Sequence, residues 1–139
     1  MLQKKVMVFG TFDIFHKGHV SFLKQAKKHG DKFFVIIARD KTVKDVKGNL
    51  PQNNEQQRLE KIKKNFPENE VILGSLTDKY EIICKLRPDI ICLGYDQKAF
   101  THDLRKKLNK LGLIDTKIIK LKSYKPEIYK SSKIFQKTN

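Results

Sequence analysis

The chain has no tryptophan and only two cysteines, Cys84 and Cys92. Neither has a CxxC partner or a histidine at ligand spacing, which excludes a disulfide scaffold and a structural zinc site. Both read as buried, reduced thiols, the usual habit of free cysteine. Acidic residues are scarce, 15 against 30 Lys and Arg, giving a formal charge of +15. Arginine is scarcer than that charge implies, since Arg39, Arg58, Arg87 and Arg105 are the only four. A dedicated nucleic-acid surface favours Arg interleaved with aromatics. The chain has no such stripe, so nucleic acid is not the expected partner, and the charge agrees instead with phosphorylated small molecules. Long hydrophobic runs are also missing. None approaches the roughly 20 residues of a membrane-spanning helix, and the first apolar stretch is too short for a secretory leader. A cytoplasmic protein with no membrane partner is expected.

What is present is a globular composition, 39 % hydrophobic over 139 residues, enough for one domain spanning 1–139 with one core. Apolar runs alternate with helical patterns. Lys5–Phe9, Phe33–Ala38, Val71–Leu73, Asp89–Leu93 and Lys117–Leu121 read as strands. A helix from Lys17 carries Val20, Phe22, Leu23 and Ala26 on one face and stops at Gly30, a candidate C′ residue. Further helices are expected over Glu55–Phe66, Asp78–Leu86, Thr101–Leu111 and Ser131–Gln136. Lys41–Asn54, polar and broken by Gly48 and Pro51, reads as a long loop. Strands apolar at every position are covered on both faces, so the expected fold is α/β, a single Rossmann-like, doubly wound parallel sheet. Ligands of such sheets bind beyond the carboxyl ends of the strands, which directs attention to 10–19, 39–48 and 94–100.

The strongest signal is Gly10-Thr-Phe-Asp-Ile-Phe-His-Lys-Gly-His19, running from the first strand into the first helix. Gly10 lets the backbone approach a ligand closely. His16 and His19 are three apart, which puts both imidazoles on one side of a helix start. The backbone N–H groups and the dipole favour an anion there. A phosphate site and a plain turn with two surface histidines both fit this pattern; a metal site would want a third ligand, and none stands nearby.

The same ten residues resemble the HxGH signature of the cytidylyltransferase-like nucleotidyltransferases, a resemblance that runs from Val6 to Ile134. Lys125-Pro-Glu-Ile-Tyr-Lys-Ser-Ser-Lys-Ile134 stands where the glycerol-3-phosphate cytidylyltransferases carry an RTEGISTTKI-like motif. Ser131 and Ser132 match its Ser/Thr pair, and Lys125 replaces its arginine, a point charge in place of a fork. The middle of the chain is most similar to the archaeal-type FAD synthases, through Ala38–Val43, Lys47–Pro51, Glu55–Arg58, Pro88–Ile91 and Leu93–Gln97 with Phe100. Tyr95-Asp96-Gln97 and the lack of tryptophan depart from the glycerol-phosphate enzymes, which typically carry a D-W-type pair there.

The resemblance implies an enzyme that transfers AMP from ATP to FMN, giving FAD and pyrophosphate. The alternative acceptor is glycerol 3-phosphate or another polyol phosphate, with CTP as donor. It implies direct in-line attack on the α-phosphate, Mg²⁺ arriving with the nucleotide, no protein metal site, and a homodimer. His16, His19 and Lys44 are the expected catalytic residues. Gly10, Thr11, Phe12, Asp13, Gly18, Gly94, Asp96, Lys125, Ser131 and Ser132 are the expected nucleotide contacts, and Asp40, Lys47 and Arg58 the acceptor contacts. Several have a second reading: Asp13 as a turn residue, Asp40 as a loop cap, Asp96 as a solvated turn carboxylate, and Lys44 or Lys47 as solvated charges. Two rivals from other classes are a nucleic-acid-binding module, motivated by the charge, and a catalytically retired nucleotide sensor.

Overall fold

A computed structural model describes residues 3–94 and 98–121. Its elements run β1 (Lys5–Gly10), α1 (Lys17–Lys27), β2 (Lys32–Ile37), α2 (Asp40–Lys47), α3 (Glu55–Asn65), β3 (Glu70–Leu73), α4 (Glu81–Leu86), β4 (Ile90–Leu93), α5 (Lys98–Lys110) and β5 (Lys117–Lys120). All pairings are parallel, in the order β3-β2-β1-β4-β5. The order reverses at β1, so the connection from β3 returns across the sheet to pair β4 with β1, and the switch point lies between those two strands.

Strict alternation along the strands builds two separate cores. Val6, Val8, Phe33, Val35, Ile37, Ile90 and Cys92 face one side, with Leu23 and Ala26 of α1 and Leu59 and Ile62 of α3. Met7, Phe34, Ile36, Ile91 and Leu93 face the other, with Ile83 of α4 and Leu104 and Leu108 of α5. Strands covered on both faces must be apolar at successive positions, which is the pattern the sequence carries.

Beyond shifted helix starts, with α4 beginning at Glu81 rather than Asp78 and α5 at Lys98 rather than Thr101, the structure departs from the sequence reading in three places. Lys41–Asn54 is not all loop, because Asp40–Lys47 forms α2. Asp40 stands in its first turn, and Lys44 and Lys47 in its last, as the helix dipole favours. Gly48 ends it in the left-handed conformation at φ 87°, its N–H donating to the Lys44 carbonyl. Only Val43 is buried, so the helix leaves almost no apolar periodicity to read. Gly30, in turn, is not a left-handed C′ residue. α1 ends at Lys27 with Lys28 as its C-cap, and the place a Cβ of residue 30 would take is 2.5 Å from Val6 Cγ2 and 2.7 Å from the Lys4 carbonyl oxygen. Glycine is needed there for close packing on β1. Finally, Cys92 is buried but Cys84 is exposed. Ile83 is the residue of α4 that enters the core, and the next position on a helix points about 100° away. The expected helix over Ser131–Gln136 lies outside the described residues.

Gly30→Ala should destabilise the protein by about 1–3 kcal/mol, the usual range for overpacking, because the Lys4 backbone carbonyl and the fully buried Val6 side chain both block the methyl. Urea unfolding would show it as a lowered midpoint at unchanged slope.

Candidate functional site

β1 ends at Gly10 and β4 at Leu93, followed by Gly94, so the 10–19 segment and Gly94 both leave the sheet at the switch point. Gly10 is required, for a reason the sequence did not reveal. The Phe12 ring lies against it, with Cε2 2.5 Å from the position of a Cβ. Phe12 is buried, 5 % exposed, and holds φ 51°, a conformation costly for a bulky residue and found where a chain is held tightly at a functional turn. Its side chain therefore belongs to the core and shapes the loop.

His16 is the N-cap of α1, and the cap is reciprocal. The His16 side chain accepts from the Gly18 N–H through Nδ1 at 3.0 Å, and Nδ1 of His19 accepts from the His16 N–H at 3.3 Å. Two imidazoles thus fill the roles that Ser and Glu take in the common capping box. An imidazole whose Nδ1 accepts a hydrogen bond carries its neutral-form proton on Nε2. The geometry therefore sets the same tautomer on both rings. They stack 3.9 Å apart, and His19 also packs between Phe15 and Phe12. Nε2 of His16 is screened from solvent. Burial lowers the pKa of His16. Burial lowers that of His19 to about 3, aided by His16 and Lys47 and opposed by a hydrogen bond at the Ile14 backbone. Both rings are neutral at pH 7, with the proton on Nε2.

Arg58 holds this end of the sheet together. Its side chain is fully buried. Nε donates to the Asn53 carbonyl at 3.0 Å, Nη1 to the Thr11 carbonyl at 2.9 Å and Nη2 to Asp40 Oδ1 at 2.7 Å. Direct acceptor binding, expected for Arg58 from sequence, is thereby corrected: the guanidinium is committed to internal partners and acts by positioning Thr11. Asp40 serves the same pair, and its N–H donates to Glu55 Oε1 at 2.9 Å. Glu55 also pairs with Arg39, 3.0 Å away. Asp13 spends its carboxylate on the neighbouring loop, accepting from the Gln52 and Asn53 N–H groups at 2.9 and 2.8 Å, while Asn53 Nδ2 donates back to the Asp13 carbonyl. Asp13 thus clamps the loop after β1 to the loop before α3, a long-range role that neither of its readings anticipated.

Lys44 and Lys47 are exposed on α2, and Lys47 lies within electrostatic reach of His19. Gly18 supplies the N–H that His16 accepts. Asp96, Lys125, Ser131 and Ser132 lie outside the described residues. Arg39 and Glu55 lie in stretches the sequence flagged, but the way they and Asn53 tie the site's loops together was not legible there; Asn54 with Gln57 forms a reciprocal cap that starts α3. Among the described residues no three His, Cys, Asp or Glu side chains gather as a metal cage. Two surface hollows, of about 700 and 380 Å³, lie elsewhere, the first lined by Lys63, Pro67 and Asn69 with β3 and the second by Tyr80 with α5. No helix among the described residues is long and apolar enough to cross a membrane.

A parallel sheet with a histidine-capped helix at its switch point defines a class. The cytidylyltransferase-like family profile matches residues 7–137, and the chain belongs to that family. Within it, the chain is 42 % identical over 135 residues to a FAD synthase of Thermococcus sibiricus, covering 96 % of this chain and 90 % of that protein. It is 40 % identical over 133 residues to a FAD synthase of Thermoplasma volcanium, covering 96 % and 92 %. Its fold is similar to that of a crystal structure from Thermoplasma volcanium GSS1 described as a lipopolysaccharide core biosynthesis protein, with a TM-score of 0.81 and 41 % identity over 88 % of this chain and 99 % of that one.

Two outcomes follow from the site. Replacing Arg58 with Met should cost about 3–5 kcal/mol in unfolding free energy, because the substitution breaks a buried pair and orphans the Thr11 and Asn53 carbonyls. The folded-state pKa values of His16 and His19 lie below the ordinary 6.5. The unfolded chain therefore binds more protons, and their contribution is complete above about pH 6.5 and lost as pH falls. Urea midpoints should drop between pH 7 and 5, and His19→Gln should flatten that drop.

Proposed function

We propose that this chain is an FMN adenylyltransferase, transferring AMP from ATP to FMN to give FAD and pyrophosphate. The observation that carries the reading is the reciprocal histidine cap, which fixes two neutral Nε2–H donors beside the N-terminus of α1 at the switch point of the sheet. The substrates are taken from the FAD synthase relatives that match nearly the whole chain.

An FMN phosphate oxygen attacks the α-phosphorus of ATP. The new O–P bond forms as the bond from the α-phosphorus to the α,β-bridging oxygen breaks, and pyrophosphate leaves with that oxygen and its electron pair. The attacking oxygen is already anionic near neutral pH, so no general base or covalent intermediate is needed. Catalysis is positioning and charge stabilisation. His16 and His19 donate to phosphate oxygens as charge shifts toward the leaving group, supported by the positive end of the α1 dipole. Lys44 and Lys47 add positive charge from α2. Gly10, Thr11, Phe12, Asp13 and Gly18 form and hold the loop against the nucleotide, with Gly94 on its other side. Asp96, Lys125, Ser131 and Ser132 complete the nucleotide contacts by family resemblance. Mg²⁺, when bound, would neutralise the triphosphate; the described side chains form no protein cage for it, so no step is derived through it. The reading places the enzyme in the cytoplasm. The homodimer rests on resemblance alone, and the chemistry does not require it.

The test is product identification by mass after incubation with ATP, FMN and Mg²⁺, and in parallel with CTP and glycerol 3-phosphate. FAD should form in the first mixture. His16→Ala should lower its rate by about 10²–10³, the cost of losing one preorganised donor. CDP-glycerol in the second mixture with no FAD in the first would replace the acceptor assignment. Tight nucleotide binding without product would favour a sensor.

A further inference from the structure

Among the described residues most large apolar side chains are covered, and those exposed are Val46, Leu50, Leu76 and Ile114. Three of these four sit at one end of the sheet. Val46, 76 % exposed, is on the last turn of α2 and Leu50, 62 % exposed, on the loop after it, both following β2; Leu76, 53 % exposed, follows β3. Scattered single apolar residues need no explanation, but a grouping beside a polar site does. These two segments are fastened to each other, since Arg39 bonds the Gly74 carbonyl at 3.3 Å and pairs with Glu55.

The same loop is fastened to the phosphate-binding segment. Gln52 and Asn53 donate to the Asp13 carboxylate, three residues before His16. Leu50 is therefore held two residues from a clamp on the HxGH loop, on the β2–β3 side of the switch point. Lys44 and Lys47 are exposed on the helix that carries Val46. Two exposed apolar side chains on the segment that carries Lys44 and Lys47 and is clamped to the HxGH loop complement a ligand with a broad apolar body and an anionic tail. A small polyol phosphate has no such body.

We propose that Val46 and Leu50, with Leu76 at the margin, form the platform on which the flavin ring of the acceptor lies, so that this surface selects a planar ring-bearing phosphate over a polyol phosphate. The inference rests on the proposed FMN reaction and adds to it the residues that recognise the ring. Apolar faces of this kind contribute through the area they remove from water, and a ring covering both side chains gains more from them than a three-carbon chain can.

The test is FMN binding by flavin fluorescence and, separately, ATP binding by calorimetry, for the wild type, the double variant Val46→Ser/Leu50→Ser and the control Ile114→Ser. The double variant should bind FMN about tenfold more weakly, a change of about 1.4 kcal/mol. It should bind ATP as the wild type does and keep its thermal midpoint, since both side chains are exposed. Ile114→Ser should match the wild type throughout. Unchanged FMN affinity in the double variant would overturn the inference and leave the FMN reaction standing. A wild type that binds ATP but no FMN would instead remove the reaction on which the inference rests. Equal losses of FMN and ATP binding would assign the pair to general loop structure and overturn it. A wild-type dimer that becomes monomeric in the double variant, with FMN affinity retained, would overturn it in favour of self-association.

Discussion

One buried guanidinium sets the geometry on which the candidate site depends. Arg58 has no contact with water, and it joins the loop after β1, the start of α2 and the loop before α3 through Thr11, Asp40 and Asn53. A buried charge is tolerated only when its pairing and hydrogen bonds are nearly complete. That requirement works in both directions: the three segments satisfy the cation, and the cation fixes the three segments. Asp13 adds a second clamp on the same loop. The backbone between them holds Phe12 at a positive φ over Gly10, which sets the direction in which the chain enters α1.

The entry to α1 is where fold becomes chemistry. In a common capping box, side-chain oxygens satisfy the first N–H groups of the helix. Here two ring nitrogens do so, and the opposite nitrogen of each ring is thereby assigned the proton. Burial keeps the rings neutral. A neutral donor can stabilise developing negative charge without a standing charge that would have to be desolvated. The cost appears at low pH, where the unfolded chain takes up protons that the folded rings refuse.

The sheet was legible because its strands are apolar on both faces, and the helices over 17–27 and 55–65 because each turns an apolar stripe to the core. The helix over 40–47 was not, since Val43 alone is buried and the polar run with Gly48 imitates a loop. HxGH pointed to the candidate site and its spacing put both histidines on one side, but the direction of their hydrogen bonds needed coordinates. Arg58 was misassigned for a physical reason: a lone arginine near a phosphate site reads as a ligand contact, and only the fold reveals that Thr11, 47 residues away, absorbs it. The Asp13–Asn53 clamp, spanning 40 residues, leaves no local signal either. Cys84 illustrates the limit of habit, since one step along a short helix moved it from core to surface.

The claim that joins these observations is that His16 and His19 act on the nucleotide as neutral, Nε2-protonated rings. Nitrogen-15 correlation spectra of the imidazoles at pH 7, recorded without and with ATP, test it directly. The account predicts the Nε2–H tautomer for both rings in the free protein and a shift of both Nε2–H signals when ATP binds. Protonation at Nδ1, charged rings in the free protein, or signals indifferent to bound ATP would contradict it.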